Sequence, residues 1–184
     1  STYCLVATWS DWVGSATAIL PKVILEIAVI ITDEKLNITD KFPNSKLGLA
    51  INRTKEELKT IEPWSLNQHT KSGLLKRVDE SNCSLSDAEN IVYKFISERI
   101  EQNKGILCGN SIWVDRIFLK REMPKLESSL HYRMIDVSSI KELAYRWYGS
   151  KGISPKKKNT HRALNDIIES VNELKWYKKN LYKP

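Results

Sequence analysis

Apolar residues in the first part of the chain cluster in three short runs that predict β-strands. The runs are Leu5–Trp9, Val23–Thr32 and Leu47–Asn52, and aliphatic and β-branched residues dominate them, as in buried strands. Turn-forming residues, among them Asp33 and Pro43, separate the second run from the third. We therefore predict three strands joined by turns.

After this segment the apolar spacing changes to a helical period. The predicted helices span Lys55–Ile61, His69–Glu80, Ser86–Asn103, Ile112–Glu122, Ser139–Tyr148 and Arg162–Lys179. Ser84 and Asp87 resemble a capping box at the start of the third helix. Two further apolar runs, Ile106–Gly109 and Met134–Val137, predict strands between helices, an alternation that favours parallel pairing. The pattern predicts an α/β fold with a five-stranded mixed sheet flanked by helices, in a single domain over residues 1–184.

Net charge adds information about the partner. The chain has 184 residues, and 29 Lys and Arg against 22 Asp and Glu give a formal charge of +7, which favours a polyanion such as nucleic acid. The cysteines, Cys4, Cys83 and Cys108, lack the spacing of a disulfide framework or a zinc site. The longest apolar run, Val23–Ile31, contains Glu26 and is shorter than the roughly 20 residues that span a bilayer. We therefore predict no membrane segment.

Three aspartates and one histidine are candidates for phosphodiester chemistry. Asp11 follows the first predicted strand, and Asp115 and Asp166 lie in predicted helices. Carboxylates from separate segments hold two divalent ions when the fold brings them together. His161 precedes the last helix and is a candidate base, because imidazole titrates near neutral pH. Taken singly, each of these residues is more often a helix cap or a solvated charge.

Four segments carry more specific patterns. They are Trp64 with His69–Leu74, Cys108–Leu119, His131–Leu143 with Arg146–Trp147, and Thr160–Asp166 with Glu169–Ser170. In this order they resemble the motifs of the oligoribonuclease family of exonucleases, and the resemblance covers residues 23–184. It implies an RNase H-like exonuclease fold, a homodimer, and hydrolysis of very short single-stranded RNA from the 3′ end to 5′ mononucleotides.

The resemblance also implies a metal site. Asp11, Asp115 and Asp166 would be ligands of two Mg²⁺ or Mn²⁺ ions, and His161 would be the general base. A basic loop at Pro155–Lys158, followed by the last motif, resembles the eukaryotic branch of the family and implies a cytoplasmic or mitochondrial location.

A second set of residues would bind RNA by the same resemblance. They are Trp64, which would stack on a base, His69 and Ser111 along the nucleotide path, and Tyr132, Arg133, Ser138 and Ser139 around the 5′ phosphate. The partner subunit would contribute Tyr132 and Arg133, and the planar fork of donors on Arg133 suits a phosphate. A closed pocket at a fixed distance from the metals would select dinucleotides.

The first family motif is altered in this chain. Family members end the first strand in Asp-x-Glu, and counting back without gaps from Glu26 puts Asp11 on the aspartate and Val13 on the glutamate. Loss of one carboxylate predicts weaker metal binding and slower turnover. Two hypotheses follow: an exoribonuclease, impaired to some degree, or an inactive nuclease-fold protein that binds RNA or serves a ribonucleoprotein. Retention of His161 and Asp115 favours the enzyme.

Overall fold

The computed structural model describes residues 3–10, 23–155 and 163–181, with the first of these ranges described by its backbone. The strands are β1 Tyr3–Ser10, β2 Ile24–Thr32, β3 Ile38–Phe42, β4 Leu49–Ala50, β5 Ile106–Gly109 and β6 Met134–Asp136. The helices are α1 Lys55–Leu58, α2 Pro63–Lys71, α3 Leu74–Asp79, α4 Leu85–Ser97, α5 Ile112–Glu122, α6 Pro124–Ser129, α7 Val137–Tyr148 and α8 Ala163–Asn180, with a 3-10 turn at Gly149–Gly152.

One sheet organises these elements, in the strand order β3-β2-β1-β5-β6, with β4 paired to β2 beside this path. The β2 strand pairs antiparallel with β1, β3 and β4. The β5 strand pairs parallel with β1 and β6. The predicted mixed direction of the sheet is therefore confirmed, with six strands among the described residues in place of the five expected. The parallel half is the one that alternates with helices.

Strand β2 is buried over its whole length, which explains its apolar sequence. Its side chains alternate between two cores, as the pleat requires. Ile27, Val29 and Ile31 face a cluster shared with α4, α5 and α6. Ala28 and Ile30 face a second cluster shared with α7 and α8. Helices therefore cover both faces of the sheet.

Two elements of the sheet differ from the prediction. The run Leu47–Asn52 forms only the two-residue strand β4. Strand β3 was missed, because Thr39, Asp40 and Lys41 make an edge strand of mostly polar composition that carries little apolar signal.

Most helices lie where the sequence predicts them, but their bounds differ from the predicted ones. The predicted helix His69–Glu80 is interrupted at Gly73, whose φ of 75° is left-handed and separates α2 from α3. The third predicted helix ends at Ser97, before Asn103. The α6 helix, which begins at a proline, was missed.

The predicted cap of α4 is confirmed. Ser84 and Asp87 form the expected capping box at the start of α4, with side chain and backbone bonds in both directions. No helix within the described ranges is both long and apolar enough to cross a membrane.

Candidate active site

Asp115 and Asp166 occupy equivalent places in two helices that pack against β1. Each lies in the first turn of its helix, Asp115 in α5 and Asp166 in α8, and both are partly exposed. Helix α5 follows β5, and β5 runs parallel to β1, so the carboxyl ends of these strands point to one edge of the sheet. The structure therefore directs Asp115 toward the edge where β1 ends at Ser10.

Glu26 ties the start of α8 to the same end of β1. Its partner across the β1–β2 ladder is Trp9, and its carboxylate is buried. Glu26 Oε2 accepts a hydrogen bond from the Ala163 backbone N–H at 3.4 Å, and Oε1 accepts one from Arg77 at 2.6 Å. The same guanidinium donates to the Gly48 carbonyl. The first turn of α8 is thereby held beside the carboxyl end of β1.

The remaining predicted members of the metal site, Asp11 and His161, lie outside the described residues. Within the described ranges, no group of three or more His, Cys, Asp or Glu side chains is arranged to hold a metal ion. Asp115 and Asp166 nevertheless have the right chemistry, because Mg²⁺ and Mn²⁺ prefer carboxylate oxygens. Their partial exposure leaves them accessible from solvent. The two aspartates therefore supply the ligand type that a divalent-cation site requires.

The turn between β5 and α5 brings two predicted RNA-binding residues together. Ser111 has a left-handed backbone, with φ of 51°, and its N–H donates to Asp136 Oδ1 at 3.0 Å and to Ser138 Oγ at 2.9 Å. Its own hydroxyl lies 3.3 Å from Ser138 Oγ. Asp136 also accepts from the Ser138 N–H at 2.9 Å, as an N-cap of α7. The turn and the start of α7 therefore form one unit.

The Ser138 hydroxyl is engaged within this unit. It accepts the Ser111 N–H, and it lies 3.3 Å from Asn110 Oδ1, to which it can donate its single proton. Ser139, the next residue, is exposed. Of the two serines expected at the 5′ phosphate, Ser139 is exposed, whereas Ser138 shapes the turn.

A buried glutamate on α8 completes the network. Asn110 Nδ2 donates to Ser170 Oγ at 2.8 Å and to Glu173 Oε2 at 3.2 Å. Further donors to Glu173 Oε1 are Ser154 Oγ at 3.0 Å, Tyr177 Oη at 3.3 Å and, as an ion pair, Lys141 Nζ at 3.9 Å. A charge that is buried needs such partners. The network joins the turn after β5 to the helix that carries Asp166.

Three residues of this network, Asn110, Asp136 and Glu173, were not predicted from the sequence to belong to the site. A signal for Glu173 was present, since Asp166, Ser170, Glu173 and Tyr177 recur at intervals of four, three and four residues. That spacing places them on one face of a helix. A polar stripe on the buried face of an amphipathic helix indicates an internal hydrogen-bond network.

The predicted RNA-binding residues differ in how much of each side chain is exposed. Trp64, in the first turn of α2, is 50% exposed, whereas His69, near the end of the same helix, is 2% exposed. Tyr132 is 71% exposed, and Arg133 is also exposed. Trp64, Tyr132 and Arg133 therefore present surfaces that a ligand can reach directly.

Comparisons with known proteins agree with this architecture. A family model described as Exonuclease matches residues 17–174, so the match begins after Asp11 and Val13. The chain is 45% identical over 175 residues to a probable oligoribonuclease of Dictyostelium discoideum, covering 95% of this chain and 90% of that protein. It is 44% identical over 161 residues to an oligoribonuclease of Hydrogenovibrio crunogenus, covering 88% and 85%.

The fold is shared with a solved nuclease. The chain superposes on the nuclease domain of 3′hExo, a DEDDh family member bound to rAMP, with a TM-score of 0.66 and 14% identity, covering 98% of this chain and 92% of that one. The similarity confirms the predicted RNase H-like exonuclease fold.

Proposed function

Because the chain belongs to the oligoribonuclease family of exonucleases, we propose that it hydrolyses very short single-stranded RNA from the 3′ end to 5′ mononucleotides. The observation that carries the proposal is the placement of Asp115 and Asp166. Both lie in first turns of helices packed against β1, and Glu26 fixes the second of these turns beside the end of β1.

The proposed metal ligands are Asp115 and Asp166, with Asp11, which follows β1 in the sequence. Two Mg²⁺ or Mn²⁺ ions bound there would stabilise charge on the scissile phosphate and favour ionisation of the attacking water. His161 would accept the proton of that water, because imidazole is a competent base near neutral pH. Water adds to phosphorus, the P–O3′ bond breaks, and the leaving oxygen takes a proton from solvent to become the 3′ hydroxyl of the shortened chain.

The RNA would be held by stacking and by recognition of its 5′ end. Trp64 is exposed enough to stack on an unpaired base, a contact that does not depend on sequence. Arg133 and Tyr132 would contact the 5′ phosphate, and Ser139, which is exposed, would contribute a further donor. Such contacts at a set distance from the metals favour dinucleotides.

A homodimer is part of the proposal. Trp113 and Ile117, one helical turn apart on α5, are 50% and 55% exposed. Met134, on the edge strand β6, is 38% exposed. Large apolar side chains that recur on one helix face favour burial against a second copy. Sedimentation of the native chain and of Trp113→Glu tests this, with a dimer expected only for the native chain.

The proposed compartments are the cytosol or the mitochondrion. The support is the resemblance of residues 155–164 to the eukaryotic branch of the family. Fluorescence of the tagged natural protein in its own cells would locate it.

Loss of catalysis is the second candidate function, and Val13 is the observation that favours it. A chain with valine in place of the second acid would keep the fold and bind short RNA without cleaving it. Such a protein would serve as an RNA-binding or structural component of a ribonucleoprotein.

One assay separates the two candidates. A 5′-labelled RNA dinucleotide is incubated with Mn²⁺ or Mg²⁺ and the native chain, Asp115→Asn, His161→Ala or Val13→Glu. The enzyme hypothesis expects cleavage by the native chain and a loss of more than about 100-fold in the first two variants, beyond the range for residues that only support a ligand. Cleavage by Val13→Glu alone would establish the inactive scaffold.

A further inference from the structure

Arg116 joins helix α5 to the loop that carries Tyr132 and Arg133. Its NH1 group donates to three consecutive backbone carbonyls, at 2.9 Å to His131, 2.9 Å to Tyr132 and 3.4 Å to Arg133. Its Nε donates to Glu127 Oε1 at 2.9 Å. The guanidinium is well shielded, with the Arg116 and Glu127 side chains 15% and 17% exposed. One planar cation therefore gathers three carbonyls and a carboxylate.

We call the hydrogen bonds from Arg116 to the carbonyls of residues 131–133 and to Glu127 the clamp. The clamp shapes the segment between α6 and β6. Three successive carbonyls converge on one group, so the backbone at 131–133 is curled toward α5. The Arg133 N–H donates to His131 Nδ1 at 3.0 Å. This second hydrogen bond also stabilises the curved backbone. The loop conformation is thus specified by hydrogen bonds from side chains, since it belongs to neither a helix nor a strand.

The clamp matters because the side chains it presents extend into solvent. Tyr132 is 71% exposed. Its ring stacks on the His131 ring, with centroids 4.6 Å apart, and the Arg133 guanidinium lies 5.3 Å from the ring centroid. These contacts are all with chain neighbours, so they move with the loop. The direction in which Tyr132 and Arg133 point is therefore set by the backbone that Arg116 holds.

We propose that Arg116 is a positioning residue for recognition of the RNA 5′ phosphate, acting through the backbone of residues 131–133. The inference rests on the proposed function, in which Tyr132 and Arg133 meet that phosphate. A loop held in its binding conformation avoids the entropy loss of ordering on binding.

The test variant is Arg116→Lys, which keeps the positive charge beside Glu127. An ammonium lacks the planar fork that reaches three carbonyls and a carboxylate at once. Arg99→Lys is the matched control: Arg99 also binds a carboxylate, Asp40 at 3.1 Å, and a carbonyl, Phe95 at 2.9 Å, next to the opposite edge of the sheet formed by β3.

Binding is measured by calorimetry in EDTA, with an RNA dinucleotide that carries a 5′ phosphate and with the same dinucleotide lacking it. EDTA removes the divalent ions that the proposed cleavage needs, so the experiment measures 5′-end recognition alone. Arg116→Lys is expected to weaken binding of the phosphorylated ligand by about tenfold or more, the cost of ordering two side chains and a loop. Binding of the ligand without the phosphate should change less than about twofold, and Arg99→Lys should match the native chain for both.

The outcomes distinguish the two proposals. If the native chain does not prefer the phosphorylated ligand, 5′-end recognition in the proposed function fails, and the role of Arg116 fails with it. If the native chain prefers it and Arg116→Lys does so equally, only the role of Arg116 is overturned. Equal weakening for both ligands would also overturn it.

Two further measurements guard against a general folding defect. Arg116→Lys should add little to the loss caused by Tyr132→Ala with Arg133→Ala, because it acts through those residues; an additive loss would contradict the mechanism. Should Arg116→Lys not fold, Glu127→Gln leaves Arg116 in place and weakens its anchor, and a smaller but selective loss of phosphate preference is expected. A Glu127→Gln protein with native preference would overturn the proposal.

Discussion

The side-chain amide of Asn110 donates a 3.2 Å hydrogen bond to the buried carboxylate of Glu173. A carboxylate can only accept, so this bond fixes which end of the amide faces α8. Asn110 Oδ1 is thereby turned toward the Ser138 hydroxyl, 3.3 Å away. A residue on the buried face of α8 therefore determines the orientation of a turn beside the candidate site.

Replacing Glu173 with Gln should destabilise the protein. In the native chain Asn110, Ser154 and Tyr177 each donate a hydrogen bond to Glu173. The NH2 group of Gln would face one of these donors, and two donors cannot form a hydrogen bond with each other. We expect the free energy of unfolding to fall by about 1.5–3 kcal/mol, as for loss of a bond to a charged group. Urea denaturation followed by circular dichroism measures it.

Glu142→Gln provides the matched control for that experiment. Glu142 pairs with Arg146 on the surface of α7, with the two side chains 65% and 72% exposed. Its loss should change the unfolding free energy by less than about 1 kcal/mol. Similar values for the two variants would contradict a special role for the buried carboxylate.

Arg77→Met should have a large effect on stability. The variant leaves Glu26, 2% exposed, without the guanidinium that lies 2.6 Å from it. Removing one member of a buried pair costs roughly 3–5 kcal/mol. The double variant Glu26→Met with Arg77→Met should recover part of that loss, because no charge is then left buried. A double variant less stable than Arg77→Met would refute the explanation.

Trp64→Ala should weaken RNA binding without affecting the fold. The ring is 50% exposed, so its removal leaves little cavity. Loss of one stacked base costs about 1–3 kcal/mol, which corresponds to a KM raised roughly 5- to 150-fold at nearly constant kcat. Trp64→Phe should retain most of the affinity because it keeps an aromatic face. A fall in kcat alone would place Trp64 elsewhere in the mechanism.

Cys108 should resist alkylation and reduce stability at alkaline pH. Burial, followed by the charge of Asp136, raises the pKa of the Cys108 thiol from 9.0 to about 12. The unfolded chain ionises first as pH rises, so the stabilisation is complete below pH 9 and is lost progressively up to about 12. Cys108→Val should therefore show a shallower loss of unfolding free energy across this window, and equal slopes would contradict the assignment.

Iodoacetamide labelling at pH 8 gives an independent check. Cys83 is partly exposed and Cys108 buried, and thiol reactivity follows exposure and thiolate fraction. Peptide mass spectrometry should find Cys83 modified in the native protein, with Cys108 modified only after unfolding.

The sequence predicted elements well where local pattern decides structure. The apolar β2 segment and the Ser84 capping box are examples, since burial and helix capping leave a signature within a few residues. Strand β3 was missed because its pairing with β2 comes from tertiary contacts rather than from its own polar sequence. The break at Gly73 was missed because a glycine in a helical pattern predicts only weakly where the left-handed turn falls.

The same distinction applies to the candidate site. Family motifs indicated Ser111 and Ser138, which the structure joins. They did not indicate Glu173 or Arg116, because these residues act on neighbours 63 and 15 to 17 positions away in the sequence. Hydrogen bonds between distant segments have no local signature, and only the folded chain reveals them.

Strand β1 pairs with β2 from Tyr3 to Ser10 and with β5 at its start. Backbone ladders of this kind do not depend on the side chains that come after the strand. Folding therefore exerts little selection on whether an acid or a valine stands at position 13. Under the proposed metal site, a nuclease of this design would lose or regain a ligand by one substitution while its frame persists, which would make catalysis the more easily altered property and the scaffold the more durable one.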